Sequence, residues 1–299
     1  MSAARLILGI DLGGTRIKGL VVDATGRMHA EDTILTGDGV DGAWRQNVGS
    51  LVAGLRERFP TIAVAGLCAP GLASPDEGVI VNMPGRLHGL EGLDWTQELG
   101  LPSVVLNDAH AALLGEVWQG AARGGANVLM VTLGTGVGGA AMVDGRLLRG
   151  HLGRAGHVGH LSLNPSGVPD IVRTPGSLED AIGDSTVANR TGGRFTTTRD
   201  LVAAVIAGDS EAREVWQQSV RALGAALAGL INVLDPQMIV IGGGIAEAGE
   251  VLFEPLSAAL DLMEWRIGSL KVVIVPAALG AQAGAFGAAF RALQKFSIL

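Results

Sequence analysis

Three kinds of residue in this chain could do chemistry: a cluster of histidines, two aspartates at the ends of apolar runs, and three glycine turns. His157 and His160 stand close together in GRAGHVGHLSLNPSG (153–167), with His151 just upstream, in a chain holding 6 histidines among 299 residues. Such imidazoles could ligate a metal, act as a base, hold a substrate hydroxyl, or be buried polar residues in a turn. Asp11 follows LILGI and opens DLGGT (11–15); Asp108 follows VVLN and precedes a helical run. A carboxylate placed like Asp108 either takes a proton from a reacting hydroxyl or caps the helix, and both readings predict the same sequence. DLGGT, LGTGVGG (133–139) and GGGIAEAG (242–249) each end a strand-like run. Glycine turns of this kind let backbone N–H groups approach phosphate oxygens, and the alternative is a tight turn that needs positive φ. None has the spacing of a P-loop, and GGGIAEAG matches the dinucleotide fingerprint only superficially.

The elements that must position these groups alternate between strand and helix. RLILGI (5–10) and GLVVD (19–23) predict two strands of an antiparallel hairpin around DLGGTRIK, with a turn at Asp23–Gly26. Trp44, Val48, Leu51, Val52, Leu55 and Phe59 form a helical stripe. TIAVAGLCAPG and PSVVLND read as buried strands, and HAALLGEVWQGAA as a helix. NVLMVTLGTGVGGAAMVDGRLLRG repeats the opening design, which points to two similar halves. Helical patterning fills 199–235 with a break at Asp209. QMIVIGGG is a strand and turn leading to a helix from about Glu247, KVVIVPA is a late strand, and AQAGAFGAAFRALQKF a closing helix. No Pro- or Ser-rich linker separates the halves, so two α/β lobes with a cleft between them are expected.

Composition narrows the class. The chain is 48% apolar and 17% charged, and its 46 glycines follow no triplet period, which excludes collagen-like repeats. A net charge of −7 without a basic run argues against nucleic-acid or anionic-membrane partners. The lone cysteine, Cys68, excludes an internal disulfide and reads as a small buried residue. LILGI is too short for a signal peptide or membrane span, and a cytoplasmic location is expected.

The order of the motifs is more specific than their composition. DLGGT, LGTGVGG and GGGIAEAG resemble the first phosphate, second phosphate and adenosine motifs of the actin-like ATPase fold. APG (69–71), VNMPG (81–85) and LNDAHAALLGE (106–116) resemble its ROK sugar-kinase branch. GRAGHVGH is similar to that family's G-x-x-G-E-x-G-H segment, and PGSLE (175–179) to its C-L-E segment. The resemblance implies a two-lobed, ribonuclease H-like α/β fold with a mixed sheet in each lobe. Its expected division is a smaller lobe of residues 1–108, joined by a C-terminal helix at about 281–299, and a larger lobe of 109–280. Dimers and tetramers occur in the family, and the apolar bias suits either homo-oligomer.

The resemblance also implies roles. ATP and Mg²⁺ are the expected cofactors, with Asp11 orienting the metal, through water, because Mg²⁺ keeps much of its hydration. Gly13, Gly14 and Thr15 are expected at the transferring end of the nucleotide, Thr135, Gly136 and Gly138 opposite, and Gly243 and Gly244 against the adenosine. Asp108 is the expected general base toward a hexose hydroxyl. Asn82, Asn107, His157, His160 and Glu179 are the expected sugar contacts, although Glu179 read by itself is equally a solvated helix residue. Lys18 and His151 receive no role. In many family members the histidine matching His160 joins three cysteines around zinc; here Ser162–Glu179 has no cysteine, and no structural zinc site is expected. His157 stands where the family has glutamate, exchanging an acceptor-only group for one that can also donate. The implied activity is ATP-dependent phosphorylation of the 6-hydroxyl of glucose or a related hexose. Alternatives are a kinase for N-acetylmannosamine, N-acetylglucosamine, fructose or mannose, polyphosphate as donor, or a catalytically silent sugar-binding regulator. A DNA-binding repressor would carry a helix-turn-helix ahead of the kinase-like part, whereas the first strand here begins by Leu6.

Overall fold

The computed structural model describes residues 5–40, 42–83 and 85–297, so Pro84 of VNMPG lies outside the described residues. Two compact units form. The first takes the described residues through Gly124, Arg149–Ala155, and those from Ala278 onward; the second is Gly125–Leu148 with Gly156–Ala277.

In the first unit, β1 (Leu6–Leu12) and β2 (Arg16–Val22) pair antiparallel around DLGGT, and β3 (Met28–Leu35) pairs antiparallel with β2. After α1 (Ala43–Arg58), β4 (Ile62–Ala69) lies parallel to β1. A small hairpin of β5 (Leu72–Ala73) and β6 (Ile80–Asn82) follows, then α2 (Trp95–Leu99). β7 (Ser103–Asn107), parallel to β4, runs directly into α3 (Asp108–Gln119). The strand order is β3-β2-β1-β4-β7.

Side chains alternate across a strand, so each face of this sheet builds its own core. Leu6, Leu8, Ile10 and Leu12 pack with Trp44, Val48, Leu51 and Leu55 of α1 and with Trp95. Ile7, Val64 and Val104 pack on the opposite face with Ala285, Phe286, Ala289 and Leu293 of the C-terminal helix. That helix, Ala283–Phe296, approaches so closely that glycine is obligatory at the crossings. A methyl group at Gly9 would overlap the Ala285 carbonyl, one at Gly66 the Ala288 carbonyl, one at Gly115 the Ala283 carbonyl, and one at Gly287 the Ala111 carbonyl.

The second unit repeats the plan. β8 (Val128–Leu133), β9 (Val137–Val143) and β10 (Arg146–Leu147) pair antiparallel in succession around LGTGVGG. A 3₁₀ turn at Val158–His160 and short helices α4 (Leu178–Ile182) and α5 (Val187–Arg190) precede α6 (Thr198–Ile206) and the long α7 (Ser210–Leu234). β11 (Met238–Gly242) and β12 (Val273–Pro276) add parallel strands, with α8 (Glu250–Met263) between them, giving the order β10-β9-β8-β11-β12. Leu129, Val131, Trp216, Leu223, Leu227, Leu252 and Leu256 belong to its core. No described helix is long and apolar enough to cross a membrane.

The α/β class with one mixed sheet per unit matches expectation, and the break near Asp209 is its capping of α7, where it accepts the Ala212 N–H at 2.9 Å. The boundaries differ. The first unit extends past 108 through α3 because α3 packs along the C-terminal helix at Gly115 and Gly287. Residues 149–155 join it because Arg149 pairs with buried Glu77 at 2.8 Å and the Ala155 carbonyl meets His110 Nε2 at 3.0 Å. The helix expected from Glu247 begins at Glu250, after a 3₁₀ segment at Gly244–Ala248.

Candidate functional site

Register brings the first group of candidates together. In the parallel strands of the first unit Asp11 pairs with Cys68, and Ala69 with Asn107, so Asp11, Cys68 and Asp108 gather at the carboxyl ends. That end is where ligands bind in open α/β sheets. Burial raises the Asp11 pKa, Lys18 and a hydrogen bond with Cys68 oppose the rise, and the charge of Asp108 adds a smaller one; the result is about 6. Burial pushes the Cys68 thiol up, and the charges of Asp11 and Asp108 push it further, so it is no nucleophile at neutral pH. Lys18, given no role from sequence, is the cross-strand neighbour of Asp11 and donates to the Ala281 carbonyl at 2.8 Å.

The helix start bears on both readings of Asp108. Asn107 is the capping residue: its Oδ1 accepts the Ala109 N–H at 3.0 Å and the His110 N–H at 3.3 Å. Its Nδ2 donates to the Gly71 carbonyl at 3.0 Å, which commits most of the side chain expected to touch sugar. Asp108 is the first helical residue; its side chain is exposed, and its Oδ1 also accepts the Ala109 N–H at 2.8 Å. Gly71 also ties in Asn82, because a Cβ at Gly71 would overlap the Asn82 carbonyl while the Asn82 residue itself is exposed.

In the turns, Gly13, Gly14, Gly134 and Gly136 do not have positive φ, so backbone conformation does not demand glycine there; Gly243, at φ 86°, and Gly249, at φ 58°, do. What the small residues provide is room. A side chain at Gly14 would collide with the Arg86 guanidinium, which is held by Asp38 at 3.0 Å, and one at Gly136 would collide with the Glu179 carboxylate. Arg86 carries no sequence signal beyond its place just after VNMPG. Thr15 is exposed and its carbonyl accepts the Thr36 N–H at 2.9 Å.

In the second unit β8 and β11 are parallel neighbours, Thr132 beside Gly242, so their two glycine turns are adjacent. Together they line a pocket of about 740 Å³ with Gly134, Thr135, Asp184, Thr198, Gly244 and Ile245 in its wall. The residues fit a nucleotide. The buried Thr198 hydroxyl on this wall has no hydrogen-bond partner, and nothing stands within 4 Å of where a Cβ on Gly134 or Gly244 would lie. Thr197 caps α6 by accepting from the Asp200 N–H, and Asp184 accepts the Thr198 N–H at 2.5 Å. Those threonines were missed because a TTT run ahead of a helix reads as capping and nothing more. Of the expected metal ligands, Asp11 is desolvated, and a bound cation would stabilise its charged form.

Glu179 is not the solvated residue of the bland reading: its Oε2 accepts the Val137 N–H at 2.9 Å. The histidine segment packs on the same strand, since a Cβ at Gly159 would overlap the Val137 carbonyl. Gly138 lies in β9 opposite Thr132. His157 is half-buried and precedes the 3₁₀ turn. His160 Nδ1 meets Asp170 Oδ2 at 2.8 Å. Burial works against charge on Asp170, but His160 and the Thr174 and Val172 N–H groups outweigh it and hold its pKa low. Asp170 thus organises the loop that stands where the family's cysteines would be. Among the described residues no three His, Cys, Asp or Glu side chains are arranged to hold a metal.

Comparison with known proteins places the chain among sugar kinases. The chain is 33% identical over 301 residues to a glucokinase of Halalkalibacterium halodurans, covering 89% of this chain and 91% of that one. It is 32% identical over 250 residues to an N-acetylmannosamine kinase of Yersinia pseudotuberculosis, covering 81% and 83%. A ROK family glucokinase from Streptomyces griseus, solved with glucose and AMPPNP, superposes with a TM-score of 0.79 at 28% identity, covering 97% and 99%. The fold is therefore the actin-like ATPase fold. A profile of the ROK family matches residues 7–295, and the chain belongs to the ROK family.

Proposed function

We propose that this protein is an ATP-dependent sugar kinase that phosphorylates the 6-hydroxyl of glucose or a related hexose. The observation that carries the reading is the placement of Asp108 at the start of α3: Asn107 is the cap, and the exposed Asp108 carboxylate, one oxygen on the Ala109 N–H, lies close enough to Asp11 to feel its charge. Asp108 removes the proton of the attacking hydroxyl, a step worth about 10²–10⁴-fold in rate. The two glycine turns hold the phosphates by backbone N–H groups, and the 740 Å³ pocket holds the adenosine. Mg²⁺, when bound through Asp11 and water, supplies charge neutralisation to the transferring phosphoryl group. In the second unit, His157, His160 and Glu179 select the sugar by a set of hydrogen bonds, each weak alone.

His157 favours a second reading of the substrate. Its imidazole offers one donor and one acceptor where family members have an acceptor-only carboxylate, so the favoured sugar can differ from glucose, and the N-acetylmannosamine kinase relative makes that sugar the first alternative. The deciding experiment is a coupled ADP assay with glucose, mannose, fructose, N-acetylglucosamine and N-acetylmannosamine, repeated with polyphosphate as donor and detection of the sugar phosphate. Product from one sugar well above the others identifies the substrate. A folded protein that phosphorylates none of them defeats the kinase reading and leaves a silent sugar-binding regulator.

A further inference from the structure

The second glycine turn is held from outside by a single stretch of chain. Asp184 N–H donates to the Gly134 carbonyl and Ser185 N–H to the Thr135 carbonyl, both at 2.9 Å. The Gly183 N–H, one residue earlier, returns to the Glu179 carbonyl at 2.7 Å. Glu179 completes the set with its side chain, accepting the Val137 N–H at 2.9 Å. Its carboxylate also fills the space that a Cβ on Gly136 would need, and Gly136 has no positive φ to require glycine for another reason. Glycine at 136 is therefore explained by the Glu179 carboxylate resting on it.

We propose that Glu179 is a positioning residue for the nucleotide: it latches the turn in the shape that presents Thr135 and Gly136 to the phosphates. The inference rests on the kinase reading only in taking this turn as a phosphate site; it is separate from any contact Glu179 makes with sugar. A hydrogen bond to a charged acceptor is stronger than a neutral one, and a turn ordered beforehand loses less entropy when its ligand arrives. Charge alone predicts the opposite effect, because a carboxylate beside a phosphate site repels the ligand. The sign of the change on removing Glu179 therefore separates a latch from a bystander.

The test is titration calorimetry of Mg²⁺·AMPPNP into sugar-free protein, where a purely sugar-binding side chain has nothing to do. Glu179→Ala should weaken Kd about tenfold, the size of one lost charge-assisted hydrogen bond. Glu179→Gln keeps an acceptor oxygen for the Val137 N–H and should stay within about threefold of the unaltered protein. Gly136→Ala, which keeps the carboxylate but evicts it, should resemble Glu179→Ala; it decides by the same criterion if Glu179→Ala does not fold. Binding by Glu179→Ala as tight as, or tighter than, that of the unaltered protein overturns the latch alone. Absence of AMPPNP binding by the unaltered protein overturns the kinase reading, and the latch with it.

Discussion

Asn107 caps the helix that Asp108 begins, its Oδ1 accepting the Ala109 and His110 N–H groups, and the Asp108 side chain is exposed. Asp108 Oδ1 shares the Ala109 N–H at 2.8 Å, but only Asn107 also reaches the His110 N–H, so substitutions should weigh the two roles.

Asp108→Asn should lower kcat by about 10²–10⁴-fold, as expected for loss of a general base. Sugar binding and thermal stability should change little, because the side chain is exposed. Asn107→Ala should instead destabilise the fold by about 1–2 kcal/mol through the lost cap. Urea unfolding and steady-state kinetics on both variants check this; near-normal turnover in folded Asp108→Asn removes Asp108 from the mechanism.

Gly287→Ala sets local propensity against packing. Alanine is the better helix former by about 1 kcal/mol. The added methyl, however, would overlap the Ala111 carbonyl of α3, a backbone atom that cannot swing away. A net loss of about 2–3 kcal/mol is expected, as for other overpacked sites. Gly14→Ala should cost far less, since it meets the far end of Arg86. Denaturant midpoints of the two variants, compared side by side, test the ranking.

Glu116 is fully buried and accepts the Ala121, Ala278 and Leu279 N–H groups, fastening the chain that enters the C-terminal helix. Glu116→Ala leaves those donors unsatisfied and should cost about 3 kcal/mol or more. Glu116→Gln, which keeps one acceptor oxygen, should recover part of the loss. Equal stability of all three proteins in urea would contradict the role.

Asp23 gives a pH signature. Burial opposes its charge, but hydrogen bonds from Thr25, His29 and the Arg27 N–H outweigh it and lower its pKa from 3.8 to about 2. A depressed native pKa means that its contribution, about 2 kcal/mol, is complete above the unfolded value and is lost as pH falls through the native one. The stability gap between the unaltered protein and Asp23→Ala should be widest near pH 6 and shrink between pH ~4 and ~2. A gap independent of pH would refute the assignment.

The sequence by itself determined the strands and helices with a strong apolar period, the paired hairpins, the three glycine turns in order, and with them the family. It did not reveal β3, MHAEDTIL, because an edge strand with no buried residue lacks the apolar alternation that identifies a strand. Nor did it reveal α2, five residues long and too short to display a period. Tertiary structure alone decided which of Asn107 and Asp108 caps α3, that Glu179 rests on Gly136 rather than in water, and that Thr198 faces the pocket. It also decided that Gly9, Gly66 and Gly115 exist for a helix at the far end of the chain. The reason is physical: periodicity reports which face of an element is buried, a local property. Which atoms meet that face is set by packing between residues far apart in sequence, where one methyl group decides what fits.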